Sequence, residues 1–241
     1  MRLLLTLAAA AALMQPLLAQ PARKSDVSTK ETRAMMHNYA KCVVERRHAR
    51  ASEAILSNLD NGTILRKYPM LVIGECLRGP AFATTKMSFS GDLYRYALAD
   101  ALVNKELAGA PPPDVAQAPA LVHREAAPAP QEVNAKGKKL SQKDLDKALQ
   151  DHRESIAFRW LALYGECIVR SDAAGAKALL LTVPDSPEEA ARFVALRPAM
   201  ELCVPEGQTL KFGKVVLRGS IAVNYYRIAR AAPTPAEKAP A

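Results

Sequence analysis

Apolar residues recur at steps of three and four along much of this chain, the spacing of one face of a helix. From Thr32 to Arg50 that face is Met35, Met36, Tyr39, Cys42 and Val43. A longer segment repeats the spacing through Leu145, Leu149, Ile156, Trp160, Leu163, Cys167 and Ile168, and Ser141 can cap it with Asp144 in its first turn. Ser186-Pro187-Glu188-Glu189 reads as a further helix start: an N-cap, proline at the first position, acids in the first turn. That helix should run toward Cys203, bent or broken near Pro198. Asn61-Gly62 reads as the end of the element before it. Met87 to Gly91 and Val215 to Gly219 read as short strands or extended leads into a last helix. The predicted fold class is mainly α.

The predicted elements fall into two copies of one order. Placing Cys42 on Cys167 aligns Tyr39-Ala-Lys-Cys42-Val-Val with Tyr164-Gly-Glu-Cys167-Ile-Val. An Ala/Leu segment follows in each, Ala51 to Leu59 and Ala173 to Leu181. Then come a proline (Pro69, Pro198), a second cysteine (Cys76, Cys203), an apolar-x-apolar-x-Gly stretch and an Ala/Tyr-rich segment. Pairing Gly74-Glu75-Cys76 with Gly165-Glu166-Cys167 instead would leave Cys203 without a counterpart. The chain therefore divides into a helical unit over 31–107 and a second over 139–230, each of three to four helices. Between them, residues 108–138 are rich in Ala and Pro and read as an extended, semi-rigid, mostly disordered linker. Residues 20–30 form a flexible polar lead-in, and 231–241 a disordered tail.

The first nineteen residues differ from the rest. Met1-Arg2, a Leu/Ala core, and Pro16 just before Ala19 make a secretory signal peptide with its cut after Ala19. The apolar run is shorter than the roughly 20 residues a membrane span needs, and no later segment is long and apolar enough to be one. The expected location is periplasmic or secreted. In that setting four cysteines, an even count, favour disulfides. Three pairings are possible. Pairing within each copy, Cys42 with Cys76 and Cys167 with Cys203, is preferred because a duplicated unit carries its own staple. Each bridge would close a loop of about 34 residues, worth on the order of 3–4 kcal/mol in the chain-entropy reading.

Charge changes the picture little. With 33 Lys+Arg against 24 Asp+Glu, the net charge is +9, which favours anionic partners without specifying a fold. Arg46, Arg47 and Arg50 cluster with His48 and form the candidate anion-binding group. Lys136, Lys138, Lys139 and Lys143 end the linker. A single tryptophan and 5% aromatic content supply no stacking platform for nucleic acid. His37 and His48 are eleven residues apart, not the i, i+4 spacing of a helical zinc pair, so no metal or other cofactor is expected. His123 and His152 show no partner in sequence. Nucleophile elbow, P-loop and dinucleotide fingerprints are missing, and Asn61-Gly62-Thr63, which fits a glycosylation sequon, reads as a turn.

The pattern Tyr-x-x-Cys-[Val/Ile]-Val, proline before a second cysteine, apolar-x-apolar-x-Gly and an Ala/Tyr-rich helix resembles small exported proteins of alphaproteobacteria, often built from two such units. The resemblance covers both copies but not the linker. It implies an envelope setting and brings no activity or catalytic residue with it. The expected function is a non-enzymatic binding or scaffolding module of the bacterial cell envelope, with an anionic envelope component or protein as partner. The alternative is a hydrolase-like enzyme with its site at the interface of the two units. A thiol–disulfide role is disfavoured by the lack of Cys-x-x-Cys.

Overall fold

In the computed structural model, residues 30–77, 91–133, 136–207 and 212–232 are described. The predicted signal peptide, most of the lead-in, Met87 to Phe89 and most of the tail lie outside them. Among the described residues there are eight α-helices: α1 (Lys30–Leu56), α2 (Asn61–Lys67), α3 (Leu93–Leu102), α4 (Gln142–Ser171), α5 (Ala173–Leu180), α6 (Pro187–Ala195), α7 (Arg197–Leu202) and α8 (Lys214–Ala231). A π turn over Val103–Leu107 extends α3. The fold is mainly helical; among the described residues there is no strand, only an isolated bridge between Val133 and Lys139.

The centre of the molecule is α3 beside α8. Both are buried nearly all round, as a helix lacking a polar face must be: Tyr94, Leu98, Ala99 and Leu102 on one, Ile221, Ala222, Tyr225, Tyr226 and Ile228 on the other. They approach closely because Gly219 faces Tyr96, where an added Cβ would lie 2.3 Å from the tyrosine Cβ. On the outside, α1 packs on α3 and α4 packs on α8. The second contact also needs a glycine, since a Cβ on Gly165 would lie 2.3 Å from Ser220 Oγ. One hydrophobic core runs through residues of both predicted units.

Cys42 is bonded to Cys76 and Cys167 to Cys203, with Cα atoms 5.7 and 5.8 Å apart. Five residues beyond the first cysteine of each pair the helical backbone breaks: at Arg47 (φ −134°, ψ 38°), which kinks α1, and at Asp172 (φ −150°, ψ 79°), which separates α4 from α5. A residue with positive φ then precedes each next helix, Asn58 (55°) before α2 and Asp185 (62°) before α6.

Local signals read from sequence hold well. Ser141 accepts from the Asp144 N–H at 3.2 Å and Ser186 from the Glu189 N–H at 3.1 Å. The chain breaks at Leu196 and restarts as α7 with Pro198 in its first turn. Three expectations need correcting. Asn61-Gly62 begins α2 rather than ending an element, because Asp60 caps it through the Thr63 N–H at 2.9 Å. Val215 to Gly219 is helix, the start of α8. On α4, Ile156, Trp160 and Leu163 stay exposed; the buried face is Leu161, Tyr164, Gly165, Ile168 and Val169. That face carries the close approach of Gly165 to Ser220 and Asn224 of α8.

The Ala/Pro-rich run also differs from expectation. Residues 108–127 form an ordered strap laid across the body. Arg170 donates to the carbonyls of Val115, Ala118 and Pro119 at 3.0, 3.2 and 2.6 Å. Glu166 accepts from the Leu121 N–H at 3.1 Å and pairs with His123 Nε2 at 2.5 Å. The strap is thus held through carbonyls, through the Leu121 and Ala127 N–H groups and through the His123 side chain.

Candidate functional site

The strap forms one wall of a cleft of about 390 Å³ at the junction of α3, α4 and α8. Its floor begins with Asp92 at the start of α3, which is 5% exposed. The Asp92 carboxylate accepts from the Asn61 N–H at 3.1 Å, from Arg95 Nη1 at 3.5 Å, and from Arg124 Nη2 on the strap. Arg95 lies a turn further along α3 and also reaches Asn58 Oδ1 at 3.3 Å. From α8, Arg227 donates through Nη2 to the Val122 carbonyl at 2.9 Å. Asn224, one turn earlier, donates to the carbonyls of Ala162 and Ser220, each at 2.9 Å. Phe158 and Val223 add apolar surface.

Arg95 Nε, Arg227 Nη1 and Asn224 Oδ1 are buried without a hydrogen-bond partner among the described residues, as are Asn61 Oδ1, Asp185 Oδ2 and Tyr225 Oη elsewhere. An unpaired buried donor or acceptor costs about 1–3 kcal/mol, more when charged. Charge is close to balanced: the guanidiniums of Arg95, Arg124, Arg159 and Arg227 share the lining with the carboxylates of Asp60, Asp92, Glu125, Asp151 and Glu154. Asp92 is joined to Arg95 and Arg124, Arg159 to Glu125, and Asp151 to Lys147. Burial, and then the neighbouring Arg95 charge, pull Arg227 down to about 10; it remains a cation at neutral pH. Burial lowers Arg95 in the same direction.

A second cavity, of about 70 Å³, holds His37 with Nδ1 3.3 Å from Asp100 Oδ2. Its wall is a buried ion network centred on Arg218, which is 4% exposed. Arg218 donates to Asp100 at 3.0 Å, to Glu189 at 3.1 Å, and to the carbonyls of Leu179, Leu180 and Thr182. Arg33 pairs with Glu189 and Asp185 from the other side.

The residues singled out from sequence are scattered. Arg46, Arg47 and Arg50 are exposed on α1, with Arg50 2.7 Å from Glu53, and none of them lines either cavity. Lys136, Lys138, Lys139 and Lys143 are exposed. His48 meets Glu106 at 2.6 Å. His123 and His152 do have partners, Glu166 and, at 2.7 Å, the Ala127 carbonyl; neither was visible because both contacts cross between the strap and α4. Among the described residues no group of three or more His, Cys, Asp or Glu is placed to hold a metal. The cleft arginines went unread. Their one signal was position: Arg95 and Arg227 sit inside Ala/Tyr-rich helices, where a charge has no solvent face to occupy.

Comparison with known proteins finds no matching family model, no matching curated protein and no matching solved structure.

Proposed function

We propose that this chain is a non-enzymatic binding protein of the bacterial cell envelope, and that the strap-walled cleft is its ligand site. The observation that carries the reading is the cleft itself, about 390 Å³ in volume and walled by charged and apolar side chains of α3, α4, α8 and the strap. Ligand pockets commonly span about 300–1,000 Å³. The export reading draws support from the two disulfides and from the absence of any helix, among the described residues, long and apolar enough to cross a membrane. Duplication of one unit draws support from the shared break five residues after each first cysteine and from the matching contacts of α1 on α3 and α4 on α8. In this reading the two units share one core, and the cleft lies where they meet.

A hydrolytic reading has one observation in its favour. His37 stands beside Asp100 in a cavity to which α1, α3 and α8 contribute. Against it, that cavity of about 70 Å³ is well below ligand size, and both Asp100 oxygens are already engaged by Arg218.

Native mass spectrometry of the protein released from the envelope fraction tests the binding reading. The expected species begins at Gln20, is oxidised at all four cysteines, and carries a small-molecule adduct that leaves on mild activation. A chain retained in the cytoplasm with its first nineteen residues, and without adduct, would contradict it.

A further inference from the structure

We infer that the bed beneath the strap is a docking lane for a proline-containing segment of another polypeptide, one without regular secondary structure, and that the strap occupies this lane in cis. The lane is distinct from the cleft: Lys177, Arg170 and Glu166, which form it, do not line that cavity, so a peptide in the one does not depend on a ligand in the other.

The strap runs antiparallel to α5 and α4, and its backbone is what they hold. Lys177 Nζ donates to the Ala110 carbonyl. Arg170 serves the carbonyls of Val115, Ala118 and Pro119, and Glu166 takes the Leu121 N–H. Contacts to main chain accept many sequences; specificity then comes from the few side chains that need room. Three strap side chains pack on the core, Val115, Ala118 and Leu121, each three residues from the next. A turn closed by the Asp114 carbonyl and the Ala118 N–H at 3.2 Å spans the first two. Ala118 is 7% exposed, which admits a small residue there and no larger one. Pro119 follows, with a fixed φ that leaves less freedom to lose on docking. Ala116, Gln117 and Ala120 are exposed and unspecified. The lane thus reads apolar-x-x-Ala-Pro-x-apolar.

The strap can leave this lane while the body stays folded. Ala118 is the one buried residue of 108–127, and segments with few buried apolar contacts open well below the global unfolding free energy. Arg170 and Glu166 are paired with each other at 2.8 Å, so each holds the other in place when the strap is gone. Tethered at both ends, the strap competes at an effective concentration on the order of millimolar. The lane is therefore reserved for a segment that fits better or arrives in excess.

Fluorescence anisotropy with a labelled peptide of residues 110–123 tests this. The receptor is the oxidised full chain with residues 111–121 replaced by a Gly/Ser run of equal length. The peptide should bind that variant saturably, and the parent at least about tenfold more weakly, because the parent's own strap competes. Adding Arg170→Gln to the variant removes charged donors to three carbonyls and should weaken binding at least about tenfold. In the peptide, Ala118→Trp should abolish binding, and Gln117→Ser should leave it within about twofold. Absence of binding by a variant that keeps the parent's far-UV spectrum would overturn the lane. So would equal affinity for parent and variant, or affinity indifferent to Arg170→Gln and to Ala118→Trp. If the Gly/Ser variant fails to fold, amide exchange on the parent decides. Unlabelled peptide in millimolar excess should speed exchange of the Leu121 N–H at least about twofold and leave that of Ile221 in α8 unchanged; a Leu121 N–H that does not respond to the peptide would overturn the proposal.

Discussion

Arginine is buried here in two different ways. Arg218 has every donor spent: its guanidinium ties Asp100 of α3 and Glu189 of α6 to carbonyls at the end of α5. Arg95 and Arg227 each have one donor atom buried without an acceptor, beside donors spent on Asp92, Asn58 and the Val122 carbonyl. Removing Arg218 would leave buried Asp100 without its arginine and Glu189 with Arg33 alone, and breaking a buried pair in this way costs about 3–5 kcal/mol. Arg218→Met should therefore lower the unfolding free energy by that amount in urea titration; a loss below about 1 kcal/mol would show the network to be marginal. Glu166 gives a pH signature. Burial alone would raise its pKa, but hydrogen bonds from His123, the Leu121 N–H and Arg170 outweigh it and bring the carboxyl from 4.5 down to about 2. A depressed carboxylate stabilises the fold fully above its unfolded value, and that contribution fades as pH falls from about 4.5 toward 2. Glu166→Gln should cost on the order of 2 kcal/mol near neutral pH, and the gap to the parent protein should close across that acid window. A gap constant with pH would contradict the assignment. Apart from the Glu166–Arg170 pair, four residues apart on α4, these roles were not legible in the sequence, because the partners lie far away along the chain: Arg218 and Asp100 are 118 residues apart.

Helix ends were legible and helix faces less so. Caps such as Ser141 and Ser186 act within three residues, so sequence carries the whole interaction. The face that α4 buries is instead decided by another helix. Its periodic stripe of Ile156, Trp160 and Leu163 looked like core, yet Gly165 turns the helix so that Trp160 is 50% exposed. As the sole tryptophan, it reports directly: its emission should be red-shifted in the native state and readily quenched by acrylamide, whereas a blue-shifted, protected signal would place it inside a packed interface. The strap is the other element that composition misjudged. Low-complexity Ala/Pro sequence does predict an extended chain without secondary structure. It says nothing about arginine and glutamate side chains on a distant helix that bind that chain's backbone. Amide exchange provides the check. The Leu121 N–H, bonded to Glu166 at 3.1 Å, should exchange slowly in the parent protein and markedly faster in Glu166→Gln; rapid exchange in both would mean that the strap is not held.

At the scale of the whole molecule, the order of cysteine, proline, cysteine and Ala/Tyr-rich helix led to an expectation of two helical units, of which the structure shows the helical character and the two disulfide pairs. What that order could not convey was that α3 and α8, the last helices of the two expected units, would pack against each other. A small helical unit of this size has a limited core of its own, and placing α3 against α8 removes an apolar face from water for both. The cleft draws on separate parts of the chain: Asp92 and Arg95 come from the start of α3, Arg227 and Asn224 from α8, and Arg124 from the strap. A ligand there would bridge all three. Binding in the cleft therefore depends on the units behaving as one body. Differential scanning calorimetry of the oxidised full chain addresses this most directly. One shared core predicts a single transition whose calorimetric and van't Hoff enthalpies agree; two resolved transitions, each with about half the enthalpy, would show that the units unfold independently and would contradict a cleft built at their junction.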